Sequence, residues 1–268
     1  MSRPEHIAPP EIFYNDVEAG KYSTNTRIQS IQTEMSERAL ELLDAEGPSF
    51  ILDIGCGSGI STQIGESQGH VVVGMDISPS MLSVALESQE IEGDLLLCDM
   101  GTGVPFRPGT FDGVISISAI QWLLNADKTC NVPQRRLNRF FQTLYISMKR
   151  GGRAVMQYYP ETEKSQQMIM DTARKAGFAG GIVVDHPESK RQKKYYLVLQ
   201  AGGTRTLDIS SMTLDQEGTN AKQRKLKKKQ DMSTREYIIH KKELNRKRGR
   251  LHVPKDSKYS GRRRKAAF

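Results

Sequence analysis

The sequence predicts an α/β protein with a doubly wound, mostly parallel sheet. Short apolar runs alternate with amphipathic runs at helical spacing from residue 49 to residue 200, the pattern of strand–helix–strand units. The first apolar run ends in "LDIGCGSG" (52–59), with glycine at every second position where a strand should pass into a helix. A third observation, the distribution of charge, separates this sheet domain from the C-terminal quarter of the chain.

Residues 1–26 read as extended or loop-like, because Pro9 and Pro10 oppose a helix there. Ile28, Ile31, Met35, Ala39, Leu42 and Leu43 then share one face of a helix over 27–44, which Gly47 and Pro48 stop. "SFILDI" (49–54) is the first strand, and a helix runs through 60–68. "HVVVGMD" (70–76) is the second strand, and "SPSMLSVALE" (78–87) is a helix with Ser78 as its cap and Pro79 in its first turn. "DLLLCD" (94–99) and "FDGVISIS" (111–118) are strands three and four. Leu137, Phe140, Phe141, Leu144 and Met148 mark a helix near 134–148, "GGRAVMQYY" (151–159) is the fifth strand, and a further helix spans 162–176. "GIVVDH" (181–186) and "KKYYLVLQ" (193–200) close the sheet as a pair.

The net charge of +8 is uneven. From Thr204 onward there are 20 Lys and Arg against 7 Asp and Glu, a balance of +13, so residues 1–203 hold 19 against 24, or −5. We read 1–203 as the folded domain and 204–268 as a basic, largely disordered tail suited to a polyanion, nucleic acid before membrane. Its clusters at 222–229, 246–250 and 262–265 suit phosphate contact or nuclear import, and "TREYIIHKKELNRK" (234–247) could form a short helix on a partner. Cys56, Cys98 and Cys130 lack paired zinc-ligand spacing and fit a reducing compartment, and no run approaches a membrane span of roughly 20 apolar residues.

In an open α/β sheet the ligand lies beyond the C-terminal strand edge, at the first strand–helix turn. A dinucleotide fingerprint would need its third glycine at position 60, which is Ile60. The observed Asp53-Ile54-Gly55-Cys56-Gly57-Ser58-Gly59 instead resembles the first motif of class I S-adenosylmethionine-dependent methyltransferases. Asp76, ending strand two, is placed to accept ribose hydroxyls, and Asp99-Met100 follows strand three. In the methyltransferase pattern that Asp takes the adenine amino group, with Met100 as an apolar wall.

More of the chain carries the resemblance. "PEIFYNDVEAGKYSTNTRI", "GMDISPSML", "CDMGTGVPFRPGTFDGVISISAIQWL", "KRGGRAVMQYYPE" and the basic tail ending "SGRRRKAAF" together resemble the eukaryotic small-subunit (18S) rRNA guanine-N7 methyltransferase family. The resemblance implies a seven-stranded Rossmann-like methyltransferase sheet with an N-terminal helical cap. It also implies S-adenosylmethionine as cofactor, rRNA and the pre-ribosome as partners, and a nuclear location with cytoplasm besides.

The implied cofactor contacts are Asp53, Gly55, Cys56, Gly57, Gly59, Asp76, Ile77, Asp99, Met100 and Ser116. Tyr14, Lys21 and Tyr22 of the N-terminal arm would fold over the sulfonium and carboxylate. N7 of guanine bears a lone pair and no proton, so alignment rather than a general base should carry catalysis. All five histidines accordingly read as solvated or structural. Trp122, Tyr158 and Gln121 are the candidates to hold the base, with Gln157, Tyr159 and Pro160 beside them.

In the usual methyltransferase strand order, strand three is an apolar sheet edge. A second chain pairing with Leu95–Cys98 would cover it, and the resemblance implies a small zinc-binding activator subunit. Two alternatives stay open on the sequence: a methyltransferase for a small molecule or protein, which the basic tail disfavours, and a ribosome assembly factor that keeps the pocket without turnover.

Overall fold

The computed structural model describes residues 4–88, 91–126, 131–189 and 192–203, together with Met212, Arg235, Ile239, Lys242, Glu243, Arg246, Val253, Lys255 and Asp256. Cys130, the basic runs at 222–229 and 262–265, and most of the helix expected over 234–247 lie outside those residues, as does the order of the tail. The chain divides into two compact units, Met1–Thr213 and Leu214–Phe268. In the second, Arg246 and Lys242 both reach Asp256, at 2.8 and 3.4 Å. Among the described residues no helix is long and apolar enough to cross a membrane.

The first unit opens with α1 (Pro10–Phe13), α2 (Asp16–Thr24) and α3 (Thr26–Leu43), followed by β1 (Phe50–Ile54), α4 (Ile60–Ser67), β2 (Val71–Asp76), α5 (Pro79–Glu87) and β3 (Leu95–Leu97). Then come β4 (Phe111–Ile117), α6 (Pro133–Ser147), β5 (Met148–Tyr158), α7 (Glu163–Lys175), β6 (Phe178–Asp185) and β7 (Lys194–Ala201). The seven strands stand in the order β3-β2-β1-β4-β5-β7-β6. The pairs from β3 to β5 are parallel, and β7 runs antiparallel to both its neighbours.

Strand alternation divides the apolar residues between the two faces. Leu52, Val73, Val114, Met156 and Leu199 join one core cluster with Phe140, Phe141 and Leu144 of α6 and Ile169 of α7. Their neighbours Ile51, Val72, Ile115, Val155 and Val198 join the other, with Met35, Ala39 and Leu43 of α3. Period-2 side-chain alternation on strands buried on both faces produces this division.

The extended N-terminus expected from Pro9 and Pro10 is not what forms. Pro10 occupies the first turn of α1, where a missing N–H is harmless. Asn15 caps α2, its side chain accepting from Val17 and Glu18 N–H at 3.1 Å, and Asn25 caps α3 in the same way. The prolines start a helical arm instead of preventing one. Strand three lies at the sheet edge, but it spans three residues rather than the longer run expected, and Leu97 is 57% exposed.

Candidate active site

The glycine turn sits beyond the C-terminal ends of β1, β2 and β4, and its shape is set by close approach. Gly55 adopts φ 73°, and a Cβ there would lie 2.3 Å from Cβ of Ala119. Gly57 adopts φ 54°, with a Cβ meeting Met81 Cε at 3.0 Å. Both conditions select glycine. Asp76 then ties the turn down: its Oδ2 accepts from Gly57 N–H at 2.9 Å and its Oδ1 from Ser78 N–H at 2.8 Å. Burial raises the Asp76 pKa, and these backbone donors oppose the rise.

In front of the turn is a cavity of about 350 Å³, within the roughly 300–1,000 Å³ of small-molecule sites. Of the residues expected at the cofactor, Gly55, Cys56, Gly57, Asp76, Ile77, Asp99, Met100, Tyr14 and Tyr22 line it. Trp122 and Gln121 line it as well. Four expected cofactor residues do not, each for a local reason. Asp53 is fully buried beneath the turn, where it accepts hydroxyl bonds from Ser61 at 2.6 Å and Thr62 at 2.7 Å. Desolvation pushes its carboxyl up to about 6, against the pull of those hydroxyls. Gly59 caps α4 against Ile91. Ser116 spends its hydroxyl on Ile54 O at 2.7 Å. Lys21 is largely exposed and pairs with Glu18 at 2.7 Å, because the helical turn that brings Tyr22 inward carries Lys21 outward.

Tyr158 is a second correction. Its side chain has no exposure, belongs to the core under α6 and α7, and packs against Tyr195. The next residue, Tyr159, projects from the opposite side of the strand and lines the cavity. Gln157 is also withdrawn: fully buried, it accepts the Ser118 hydroxyl at 2.7 Å, and Pro160 is not on the wall.

Arg136, on α6, lines the cavity without having been marked by the sequence. Its Nη2 donates to both oxygens of Asp99, at 2.7 and 2.9 Å, while Gly101 N–H donates to Asp99 Oδ1 at 2.8 Å. That leaves Oδ2 with an acceptor position open to an incoming amino group. Nothing in the local pattern of α6 distinguishes this arginine from Arg135 or Arg139; the contact depends on how α6 docks.

The far wall is aromatic. Trp122, 5% exposed, packs against Phe13 and Tyr14 of the arm at 6.2 and 5.9 Å between ring centres. Ser78 holds the arm down by donating its hydroxyl to Tyr14 O at 2.8 Å. Burial, with Asp76 and Glu5 nearby, pushes the Tyr14 phenol up to about 12, so it stays protonated. Gln121 donates its amide to Ser118 O at 2.8 Å, and its buried Oε1 has no hydrogen-bond partner. Such an orphaned acceptor is costly unless a ligand supplies a donor.

No histidine among the described residues lines the cavity. His70 Nδ1 accepts from Ser49 N–H at 3.3 Å and His6 lies 3.3 Å from Glu161. Acids at two strand ends, apolar flanks at Ile77 and Met100, and a turn with glycine at every second position fit a nucleoside carrying an amino-acid arm. The arrangement can bind such a ligand and align it.

Comparison with known proteins agrees with that geometry. The family described as "Methyltransferase domain" matches residues 52–156, and "Methyltransferase involved in Williams-Beuren syndrome" matches residues 185–266. The chain is 54% identical over 277 residues to the 18S rRNA (guanine(1575)-N(7))-methyltransferase of Saccharomyces cerevisiae, covering 100% of both. It is 50% identical to the 18S rRNA (guanine-N(7))-methyltransferase of Mus musculus, covering 99% of this chain and 98% of that one. Among solved structures, phosphoethanolamine N-methyltransferase 2 of Haemonchus contortus matches with TM-score 0.54 at 18% identity, over 76% of this chain and 61% of that one. A complex between the Haloferax volcanii Trm112 methyltransferase activator and a putative methyltransferase matches with TM-score 0.53 at 18% identity, over 70% and 97%. These two share the Rossmann-like fold, and full-length identity to the named relatives places this chain in the 18S rRNA (guanine-N7)-methyltransferase family.

Proposed function

We propose that this chain transfers a methyl group from S-adenosylmethionine to N7 of a guanine in 18S rRNA during small-subunit biogenesis. The observation that carries the reading is one cavity lined both by the glycine turn with its acids and by Trp122, Tyr159 and Gln121, in a chain 54% identical to a named enzyme of this kind.

When bound, S-adenosylmethionine supplies an electrophilic methyl on a sulfonium. Asp76 would accept the ribose hydroxyls, the free position on Asp99 Oδ2 would accept the adenine amino group, and Ile77 and Met100 would flank the ring. The Gly55–Gly57 backbone leaves room for the amino-acid arm, which Tyr14 and Tyr22 cover. A guanine taken out of its stack enters between Trp122 and Tyr159. Its N7 lone pair lies in the ring plane and no proton leaves, so the residues need only hold N7 in line at roughly 3–3.5 Å from the methyl carbon. This accounts for the lack of histidine among the described residues that line the cavity.

Two further assignments belong to the same proposal. The β3 edge, with Leu97 exposed, accepts a strand from a small zinc-binding activator subunit; the Haloferax pair of the same fold supports this. The basic segment 204–268 contacts RNA and directs the chain to the nucleus. A purified chain that is soluble and monodisperse without the activator counts against the first, and nuclear retention after deletion of 204–268 counts against the second.

Incubation of the chain and activator with S-adenosylmethionine and 18S rRNA, followed by nucleoside mass spectrometry, tests the function. We expect 7-methylguanosine in the RNA. Methylation at another atom, or none, overturns the reading.

A further inference from the structure

One loop beside the cavity is left without a role by this chemistry. Tyr158 of β5 stands opposite Tyr195 of β7, and Asp185 of β6 opposite Lys194 of β7, both in antiparallel register. The turn from β6 to β7 therefore lies at the sheet edge where β1, β2, β4 and β5 end, the edge that carries the glycine turn. His186 enters it at φ 51°, and Lys193 N–H donates to Ser189 O at 2.9 Å, which fixes the path into β7.

Two lysines close that turn. Lys194 Nζ donates to the Tyr159 hydroxyl at 3.0 Å and lies 5.1 Å from the centre of that ring. Tyr159 is a wall of the cavity, so the ammonium is bonded to a residue of that wall. Lys193 Nζ lies 5.4 Å from the centre of the Tyr195 ring. Among the described residues neither forms a salt bridge, and the nearest acid on β6, Asp185, is engaged by Arg38 Nε at 2.8 Å and Nη2 at 3.1 Å. An ammonium has three donors, and Tyr159 uses one on Lys194. The two pairs flank the start of β7 from opposite faces of the sheet, Lys194 with Tyr159 on the α3 side and Lys193 with Tyr195 on the α6–α7 side, and a cation beside an aromatic ring is a pairing that single-stranded nucleic acid sites use.

The extents of the two family matches point the same way. The general methyltransferase description ends at residue 156, and the specific one begins at residue 185, at this turn. The specific description thus includes both lysines, which the general one does not reach.

We infer that Lys193 and Lys194 hold the phosphates that flank the target guanosine, clamping the RNA backbone beside the cavity. The inference rests on the reading that the substrate is RNA. It adds a contact on the folded domain, separate from the basic tail, that holds the backbone in place while the base enters.

The test uses the full-length chain in three forms: wild type, Lys193→Gln with Lys194→Gln, and Lys193→Arg with Lys194→Arg. Each is titrated with a short single-stranded RNA carrying one guanine, across a salt series, and separately with S-adenosylmethionine by calorimetry. In the glutamine pair we expect RNA affinity at low salt to fall about tenfold and the slope of log K against log salt to lose about 1.4, two phosphates at ~0.7 each. The arginine pair should keep both, and cofactor affinity should be equal in all three. An unchanged salt slope in the glutamine pair overturns the inference. So does a parallel loss of cofactor affinity, which would make the lysines supports of the Tyr159 wall. The functional reading fails separately: wild type that binds RNA through these lysines yet forms no 7-methylguanosine refutes that reading and leaves the clamp standing.

Discussion

The two walls of the cavity are built on different principles. The cofactor wall is largely backbone: a turn with glycine at every second position, fixed by hydrogen bonds to Asp76, with Asp53 bonding the first turn of α4 from below. Its polar groups are mostly satisfied before any ligand arrives. The substrate wall is side chains: Trp122, Tyr159 and Gln121, with one buried acceptor left waiting. A wall of fixed dipoles favours one invariant ligand, whereas a wall of aromatic faces and a single amide suits a base delivered by a large polymer.

The comparison can be broken most severely at Gly57. Gly57→Glu puts a side chain at φ 54° against Met81 and projects a carboxylate toward the cofactor arm; calorimetry should find no S-adenosylmethionine binding. Asp76→Ala comes next. Two charge-assisted hydrogen bonds at roughly 1.5 kcal/mol each predict about a 100-fold loss of cofactor affinity, while RNA affinity at the other wall should hold.

Asp53 probes the support beneath the turn. Its carboxyl binds a proton more tightly folded, near 6, than at the ordinary 3.8. The protonated group therefore adds stability that is fully present below 3.8 and is lost as pH rises through about 6. Asp53→Asn should remove that dependence, and the difference between variant and wild-type unfolding free energies from urea titration should shift by on the order of 2 kcal/mol between pH 4 and pH 7. Arg136→Met sharpens the adenine contact. Cofactor affinity should fall roughly tenfold as the Asp99 carboxylate loses its orientation, and preference for S-adenosylhomocysteine over its inosine counterpart should shrink. Tyr158→Phe gives the smallest effect. Its hydroxyl is buried without a partner, so the melting temperature should hold or rise slightly, within about 1 kcal/mol, with kcat/KM unchanged. A large loss of activity would return Tyr158 to the substrate wall.

The cofactor wall was legible in the sequence because backbone geometry dictates residue type. A turn that admits no Cβ requires glycine, and acids at the ends of two parallel strands recur at readable spacing. The strand that would carry a partner was legible for a similar reason, since topology puts β3 at the edge. The substrate wall was only partly legible. Choosing Tyr159 over Tyr158 requires knowing which face of β5 looks onto α6, and a one-residue error in that reading reverses the answer. Arg136 and the arm helices depend on docking. Pro10 forbids a helix interior but favours a helix start, and the sequence alone did not say which applied.

Asp76 is bonded to Gly57 and Ser78 and also lines the cavity, where we propose that it takes the sugar. One carboxylate is thus at once a recognition element and a keystone of the loop. A family built this way cannot drift stepwise toward a different nucleoside: any replacement that relaxes the sugar contact also releases the bend that seats the rest of the molecule. Inhibitors that copy the nucleoside should therefore meet little viable resistance at this position, since escape there forfeits the natural donor too.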